Sequence, residues 1–440
     1  MNQRQRTVWI VALTASAMVG PGISYGRLYL FHLVLCAVGI ALIRAEGPVA
    51  LWSRFRSVKT TFYYMIAFTV VCVIAALRSP DQGQGMITLG ALGLGHLLVV
   101  VLFLLVKDRQ SWMMMAWTVL ACVSLELVLS LLEATGHVRW PISRFSEHVE
   151  WFGRTNDLAA LITSPRNAWY LATSPTGFHW NPNDLCTVLV LFVPFALVRD
   201  RRWLGLLASV LVLAVCIMAG ARIAFVGLVI VALLTLIIVR IARPQAGILL
   251  GVILLISTNL FSSKYSHHVK IREMQVFSRM LVGVNLDREQ LTALGDEEEG
   301  SAGIRRHTYA TGWQALKGSH FMGLGAGSTA VVLAAHPMPD GRVLTDMHLW
   351  WLEIAVDLGL PGLAIHVAWL VMILLALWRS WRTNTTAERP VFAALIIALI
   401  VLGPLAIGPS SMAYMLPMYV LFAMAITAPL YLGRDAVQPD

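Results

Sequence analysis

Apolar residues come in long runs along this chain, at 8–25, 27–43, 61–77, 86–106, 111–132, 183–198, 203–219, 221–239, 246–261, 349–378, 391–408 and 410–431. Runs of this length, separated by short polar breaks, predict helices in a bilayer, since about 20 apolar residues cross its hydrocarbon core. The expectation is therefore an all-α polytopic membrane protein with about twelve transmembrane helices. Several runs are only 16–18 residues long, at the lower edge of what spans, so their ends are the least defined part of the pattern. The first run has no small-residue cleavage site after it and reads as a retained helix.

Composition supports this. Hydrophobic residues make up 58% of the 440 and charged ones 13%, and the mean hydropathy is +0.72. No soluble core hides that much apolar surface. The basic residues then set an orientation. With Arg4 and Arg6 in the cytoplasm, short loops on the same side hold Arg44, Arg54, Arg56, Lys59, Lys107, Arg109, Arg199, Arg201, Arg202, Arg240, Arg243, Arg379, Arg382, Arg389 and Arg434. The opposite ends of the short hairpins carry only Arg27, Arg78 and Arg222. This asymmetry is the positive-inside pattern, and it puts both termini inside. The net charge of +9 belongs mostly to those cytoplasmic loops and gives no reason to expect nucleic acid.

The resulting organisation has N-terminal membrane helices over 1–132, an outer loop at 133–182, central membrane helices over 183–261 carrying Arg222, a large outer loop at 262–348, and C-terminal membrane helices over 349–440. The two loops, roughly 50 and 87 residues, are far longer than ordinary connections. The second contains Lys264, His267, His268, Lys270 and Arg272, which read as a charged loop or a basic approach surface. It also holds the acidic run Asp296 to Glu299, which reads as a solvated face, and a helix-like stretch from Arg305 to Leu316. Cys36, Cys72, Cys122, Cys186 and Cys216 all lie in apolar runs, in no metal-binding or disulfide spacing, and read as small buried hydrophobes.

Polar signals at the outer ends of the runs are the candidate chemistry. Asn181-Pro182-Asn183-Asp184 opens the run at 183, with proline in the first turn and side chains suited to capping and interhelical hydrogen bonds. Arg222 follows a small-residue step, Ala219-Gly220-Ala221. Gly323-Leu-Gly-Ala-Gly327 lacks the strand and βαβ context of a dinucleotide loop. It reads either as a tight turn or as flexible backbone that approaches an anion. His348 begins the next run, which Gly359-Leu-Pro361-Gly362 interrupts, predicting either a short outer helix followed by a turn or one kinked helix.

Taken in order, these pieces resemble the O-antigen ligase and polymerase superfamily of bacterial envelope glycan enzymes. His179 to Leu185 is similar to its Asn-Pro-Asn helix start, and Ala219 to Ala224 to its small-residue and arginine step, with Ala221 where Ser is usual. Arg305, Tyr309 and the glycine triplet Gly323, Gly325, Gly327 resemble its periplasmic stretch, in which Arg306 takes the arginine position after a small shift. His348 to Glu353 and Gly359 to Gly362 resemble its His-led helix, with Leu349 where Asn is common.

The resemblance implies transfer of a glycan from a polyprenyl diphosphate-linked donor at the outer face of the bacterial inner membrane, the active site facing the periplasm, without metal or other cofactor. It implies inversion by single displacement, with His348 as the base. Arg222 with Arg305 or Arg306 would hold the diphosphate, because a guanidinium offers a rigid fork of donors to phosphate oxygens. Asn181, Asn183, Asp184, Glu353, Gly323, Gly325 and Gly327 are then supporting residues. Partners would be membrane lipids, the lipid-linked donor, and either a glycan acceptor (a polymerase) or lipid A-core (a ligase). The Asn-Pro-Asn start and the 133–182 loop favour the polymerase. A lipid-linked oligosaccharide transporter is the reading from another class, set against the absence of related halves.

Overall fold

The computed structural model describes residues 1–155, 171–198, 202–261, 300–339, 341–384 and 388–432. The basic cluster Lys264 to Arg272 and the acidic run Asp296 to Glu299 lie outside them. The described residues are mostly α-helical: α1 (Gln3–Val19), α2 (Leu30–Glu46), α3 (Pro48–Ser57), α4 (Lys59–Leu77), α5 (Gln82–Leu105), α6 (Arg109–Glu133), α7 (Pro182–Leu197), α8 (Arg202–Met218), α9 (Arg222–Ile238), α10 (Arg243–Phe261), α11 (Gly300–Gly318), α12 (Ser328–Ala335), α13 (Trp350–Thr383), α14 (Arg389–Leu405) and α15 (Leu416–Tyr431). Their β structure is limited to Ser24–Tyr25 and Leu28–Tyr29.

The expected count of about twelve transmembrane helices does not hold. Among the described residues, four helices are long and apolar enough to cross a membrane: α4, α5, α6 and α13. The number reaches five if α2 and α3, bent at 101° to one another, form one span. The physical reason is length. The runs at 183, 203, 221, 391 and 410 fold as helices of 16–17 residues, which at 1.5 Å per residue reach only about 24–26 Å, short of a core of about 30 Å. Part of the run at 410 is not helical at all, because α15 begins only at Leu416. Hydropathy detects an apolar segment but not where its helix stops.

The chain divides into two compact units. One comprises Met1–Gly20, Leu28–Val123 and Arg305–Asp440, the other Pro21–Arg27 and Ser124–Ile304. In the first, α13 packs against α4, α14 and α15, and α5 packs against α15. Gly95 permits that last approach, since a Cβ there would run into the Tyr419 ring. Trp369 stacks on Tyr64 at 4.1 Å between centroids, and Trp112 donates its indole N–H to the Met424 carbonyl at 3.1 Å. Ile66, Val70, Val73 and Leu77 leave α4 with an exposed apolar face, as a helix in contact with lipid requires.

In the second unit α7 packs against α8 and α9, and α9 against α10. Two buried acids on α6 organise the chain that leads to α7. Glu126 accepts the Phe178 N–H at 2.8 Å. Glu133 accepts those of Thr176 at 2.7 Å, Gly177 at 2.6 Å and Trp140 at 3.0 Å. Arg139, 3.7 Å from Glu133, donates to the carbonyls of Leu171, Ala172 and Ser174, each at 2.8 Å. Charge-assisted bonds to backbone amides are the stronger kind, so the start and end of the 133–182 segment are held together. Of the five cysteines, all free, Cys186 and Cys216 are buried, Cys72 and Cys122 half-buried and Cys36 exposed.

Candidate active site

In the first unit, α11 and the start of α13 bring together Arg305, Tyr309 and His348. His348 lies just before Leu349, the N-cap of α13, with φ at +53°, a left-handed conformation that an ordinary side chain seldom takes. Its carbonyl accepts the Tyr309 hydroxyl at 3.0 Å, and the neighbouring Met347 carbonyl accepts the Thr308 hydroxyl at 3.3 Å. The strained turn is therefore held from α11. The imidazole donates to the Pro409 carbonyl, while Nδ1 is buried and without a partner among the described residues. Nε2 is thus the donor and Nδ1 carries the bare lone pair, the tautomer that a proton acceptor needs.

Burial lowers the His348 pKa below its ordinary 6.5. Arg305 acts in the same direction, and Asp346 and the Pro409 carbonyl oppose it. Burial raises the Tyr309 pKa, against the pull of Arg305. Arg305 is half-buried and within electrostatic reach of both groups, whereas Arg306 is exposed. Of the two candidate arginines, Arg305 is the one whose charge acts on His348.

The glycine triplet stitches α13 to the turn between α4 and α5. Gly323, Gly325 and Gly327 have φ of +73°, +113° and +73°. A Cβ at these positions would overlap the backbone of Leu358–Gly359, Arg78–Ser79 and Gln84–Gly85 respectively. The four amides from Leu324 to Gly327 donate to the Val356 carbonyl, the Asp357 carbonyl, the Ala75 carbonyl and Asp357 Oδ2, at 2.8–3.1 Å. The loop acts as a tight turn and holds out no unused amide there for an anion. Asp357 also accepts the Thr329 N–H and hydroxyl, both at 2.8 Å, capping α12. Gly359, with φ +76° and ψ 172°, breaks α13, and the Leu360 amide beyond the break donates to the Phe321 carbonyl at 2.9 Å. Gly359 to Gly362 thus joins two helical segments, a short one before Gly359 and a long one after it, across a non-helical Gly359.

The remaining predicted residues belong to the second unit, apart from Glu353. Asn181 caps α7, its side chain accepting the Asn183 amide at 2.9 Å, with Pro182 in the first turn and Asp184 after it. Gly220, at φ +64°, makes the turn into α9, and Arg222 is exposed in the first turn of that helix. Glu353, in the first turn of α13, accepts the Ser411 hydroxyl on Oε1 at 2.7 Å.

Residues 207–367 match the family model described as O-antigen ligase. That match covers 161 of the 440 residues. Across the whole chain, Teichuronic acid biosynthesis protein TuaE of Bacillus subtilis (strain 168) is 20% identical over 436 residues, covering 95% of this chain and 82% of that protein. The O-antigen ligase domain thus takes in Arg222, Arg305, the glycine triplet, His348, Glu353 and the α13 break, and it leaves Asn181, Asn183 and Asp184 outside. The match to this polymerase and ligase superfamily supports an enzymatic role in glycan transfer, and several apolar helices suit a multi-pass membrane protein.

Asp357 and one further cluster escaped sequence reasoning. Tyr64 bonds to His96 Nε2 at 2.7 Å and to His366 Nδ1 at 2.9 Å. His96 Nδ1 sits 2.7 Å from the Leu92 carbonyl and must donate to it. Tyr64 therefore donates to His96 Nε2 and accepts from His366 Nδ1, which fixes the direction of the whole chain of bonds. The signal was present, as three polar residues in otherwise apolar runs, but their partnership spans 302 residues between Tyr64 and His366.

Proposed function

We propose that this protein transfers a glycan from a polyprenyl diphosphate-linked donor to a hydroxyl of a glycan acceptor at the outer face of the inner membrane, polymerising lipid-linked repeat units. The observation that carries this reading is the bare Nδ1 of His348, set by the Pro409 hydrogen bond beside Arg305 in an O-antigen ligase domain. The acceptor oxygen attacks the anomeric carbon and gives its proton to Nδ1. The bond from that carbon to the diphosphate oxygen breaks, and the carrier leaves as the diphosphate anion. Arg305 supplies positive charge for that leaving group, the role that the resemblance also gives to Arg222. A relative named for teichuronic acid biosynthesis supports a role in building the glycan. The description of the matched family favours a second reading, transfer of a finished polymer to lipid A-core.

The test is the purified protein in lipid vesicles with a polyprenyl diphosphate-linked repeat unit, following glycan length and carrier release. His348→Ala should lower turnover by about 10²–10⁴-fold, as expected for removal of a general base, with donor binding kept. Arg222→Ala and Arg305→Ala should weaken donor use at equal membrane levels. A ladder of products from the wild type supports the polymerase, and transfer of one intact block to lipid A-core the ligase. Movement of unaltered donor across the vesicle membrane would refute transfer altogether.

A further inference from the structure

Three polar side-chain atoms within six residues at the start of α13 are buried and without a hydrogen-bond partner among the described residues: His348 Nδ1, Trp350 Nε1 and Glu353 Oε2. A helix start in a packed unit seldom leaves one such atom, because an unpaired buried polar group is costly. Each residue is anchored elsewhere. The His348 ring donates to the Pro409 carbonyl. The Trp350 amide donates to the Ala406 carbonyl at 3.0 Å. The Ser411 hydroxyl donates to Glu353 Oε1 at 2.7 Å. All three lean on one segment, 406–411, and Trp350 and Glu353 share a helix face three residues apart. The His348 ring and the Glu353 carboxyl are each oriented by one contact that leaves a second polar atom unpaired, and Trp350 is fixed through its main chain.

We propose that Trp350 and Glu353 form, beside His348, the subsite that recognises the acceptor sugar by the hydroxyl adjacent to the one that attacks; this rests on the transfer reading above. The chemistry is complementary. An indole N–H only donates, and a carboxyl oxygen such as Glu353 Oε2, its partner Oε1 already bonded to Ser411, accepts, so one hydroxyl satisfies both, accepting from Trp350 and donating to Glu353. The neighbouring hydroxyl of the same ring then meets His348 Nδ1. The ligand class is a sugar with vicinal free hydroxyls. Glu353 and Trp350 touch the acceptor and not the diphosphate, so they set which acceptor is used. A site built to hydrogen-bond a hydroxyl rejects the analogue lacking it far more strongly than an apolar pocket rejects a misfit.

The experiment uses the full chain in vesicles with the lipid-linked donor. Its acceptors are methyl glycosides of the donor's own terminal sugar, intact or with ring hydroxyls removed one at a time. For the wild type, one deoxy acceptor besides the one lacking the attacking hydroxyl should show a markedly raised KM. Glu353→Gln should raise the acceptor KM by about 10-fold, the scale of one lost hydrogen bond, with the donor KM within twofold. With that deoxy acceptor the same variant should lose little more, since both changes remove one contact. Trp350→Phe should behave alike, which keeps the test usable if Glu353→Gln fails to fold. Equal losses on intact and deoxy acceptors, or parallel changes in donor KM, would mean a purely structural role and overturn the proposal. If the wild type transfers nothing, the transfer reading has failed. Equilibrium binding of the same glycosides then decides: a preference for the intact sugar that Glu353→Gln abolishes keeps the subsite, and no preference removes it.

Discussion

His348 owes its tautomer and its strained backbone to different neighbours. Tyr309 and Thr308 hold the turn through main-chain carbonyls, and Pro409 holds the ring. A pH dependence follows. The folded pKa is lowered from 6.5, so the neutral, proton-accepting form persists into more acid solution and is lost as pH falls through that lowered value. Asp346 acts against this shift by favouring the imidazolium. Asp346→Asn should therefore move the acid limb of a transfer-rate profile to lower pH; movement to higher pH would contradict the assignment. His348 was legible in the sequence because it stands at the edge of an apolar run, in order with the arginines. Asp357 was not. A lone acid in an apolar helix means little until the amides of Gly327 and Thr329 are known to meet it.

Glycines separate into two kinds at the scale of elements. Gly325 has a φ that L side chains avoid, and its Cβ would meet the Arg78 and Ser79 backbone. Gly90 sits inside α5 with nothing within 4 Å of its Cβ position. Gly325→Ala should lower the midpoint of thermal unfolding in detergent, at a cost on the order of 1–3 kcal/mol from the backbone alone. Gly90→Ala should leave the midpoint unchanged or raise it, since alanine is favoured by about 1 kcal/mol in a helix interior. The sequence showed the Gly359–Gly362 break, because proline and glycine act locally. It did not show how many helices span, because a 17-residue helix and a 24-residue one can come from equally apolar runs.

For the whole molecule, the charge asymmetry gives the clearest expectation. In a variant whose five cysteines are replaced by serine or alanine, Arg306→Cys should react with a membrane-impermeant maleimide added to intact cells. Arg56→Cys, at an exposed position near the end of α3, should react only after the membrane is opened. The reverse result would invert the proposed topology. Orientation is readable from sequence since it depends on a sum over many short loops, while each span depends on its own two ends.

The break in α13 also has a consequence for biogenesis. Among the described residues, the partners that close it lie upstream in the chain: the amides of Leu324 and Gly325, the Phe321 carbonyl, and behind them the turn after α4. As synthesis runs from the N-terminus, the ribosome has already delivered that splint when Gly359 emerges. The contacts that orient His348, Trp350 and Glu353 come instead from residues 406–411, still unmade at that moment. The nascent protein can thus complete its bent helix early while its reactive end stays unassembled until residues 406–411 have followed.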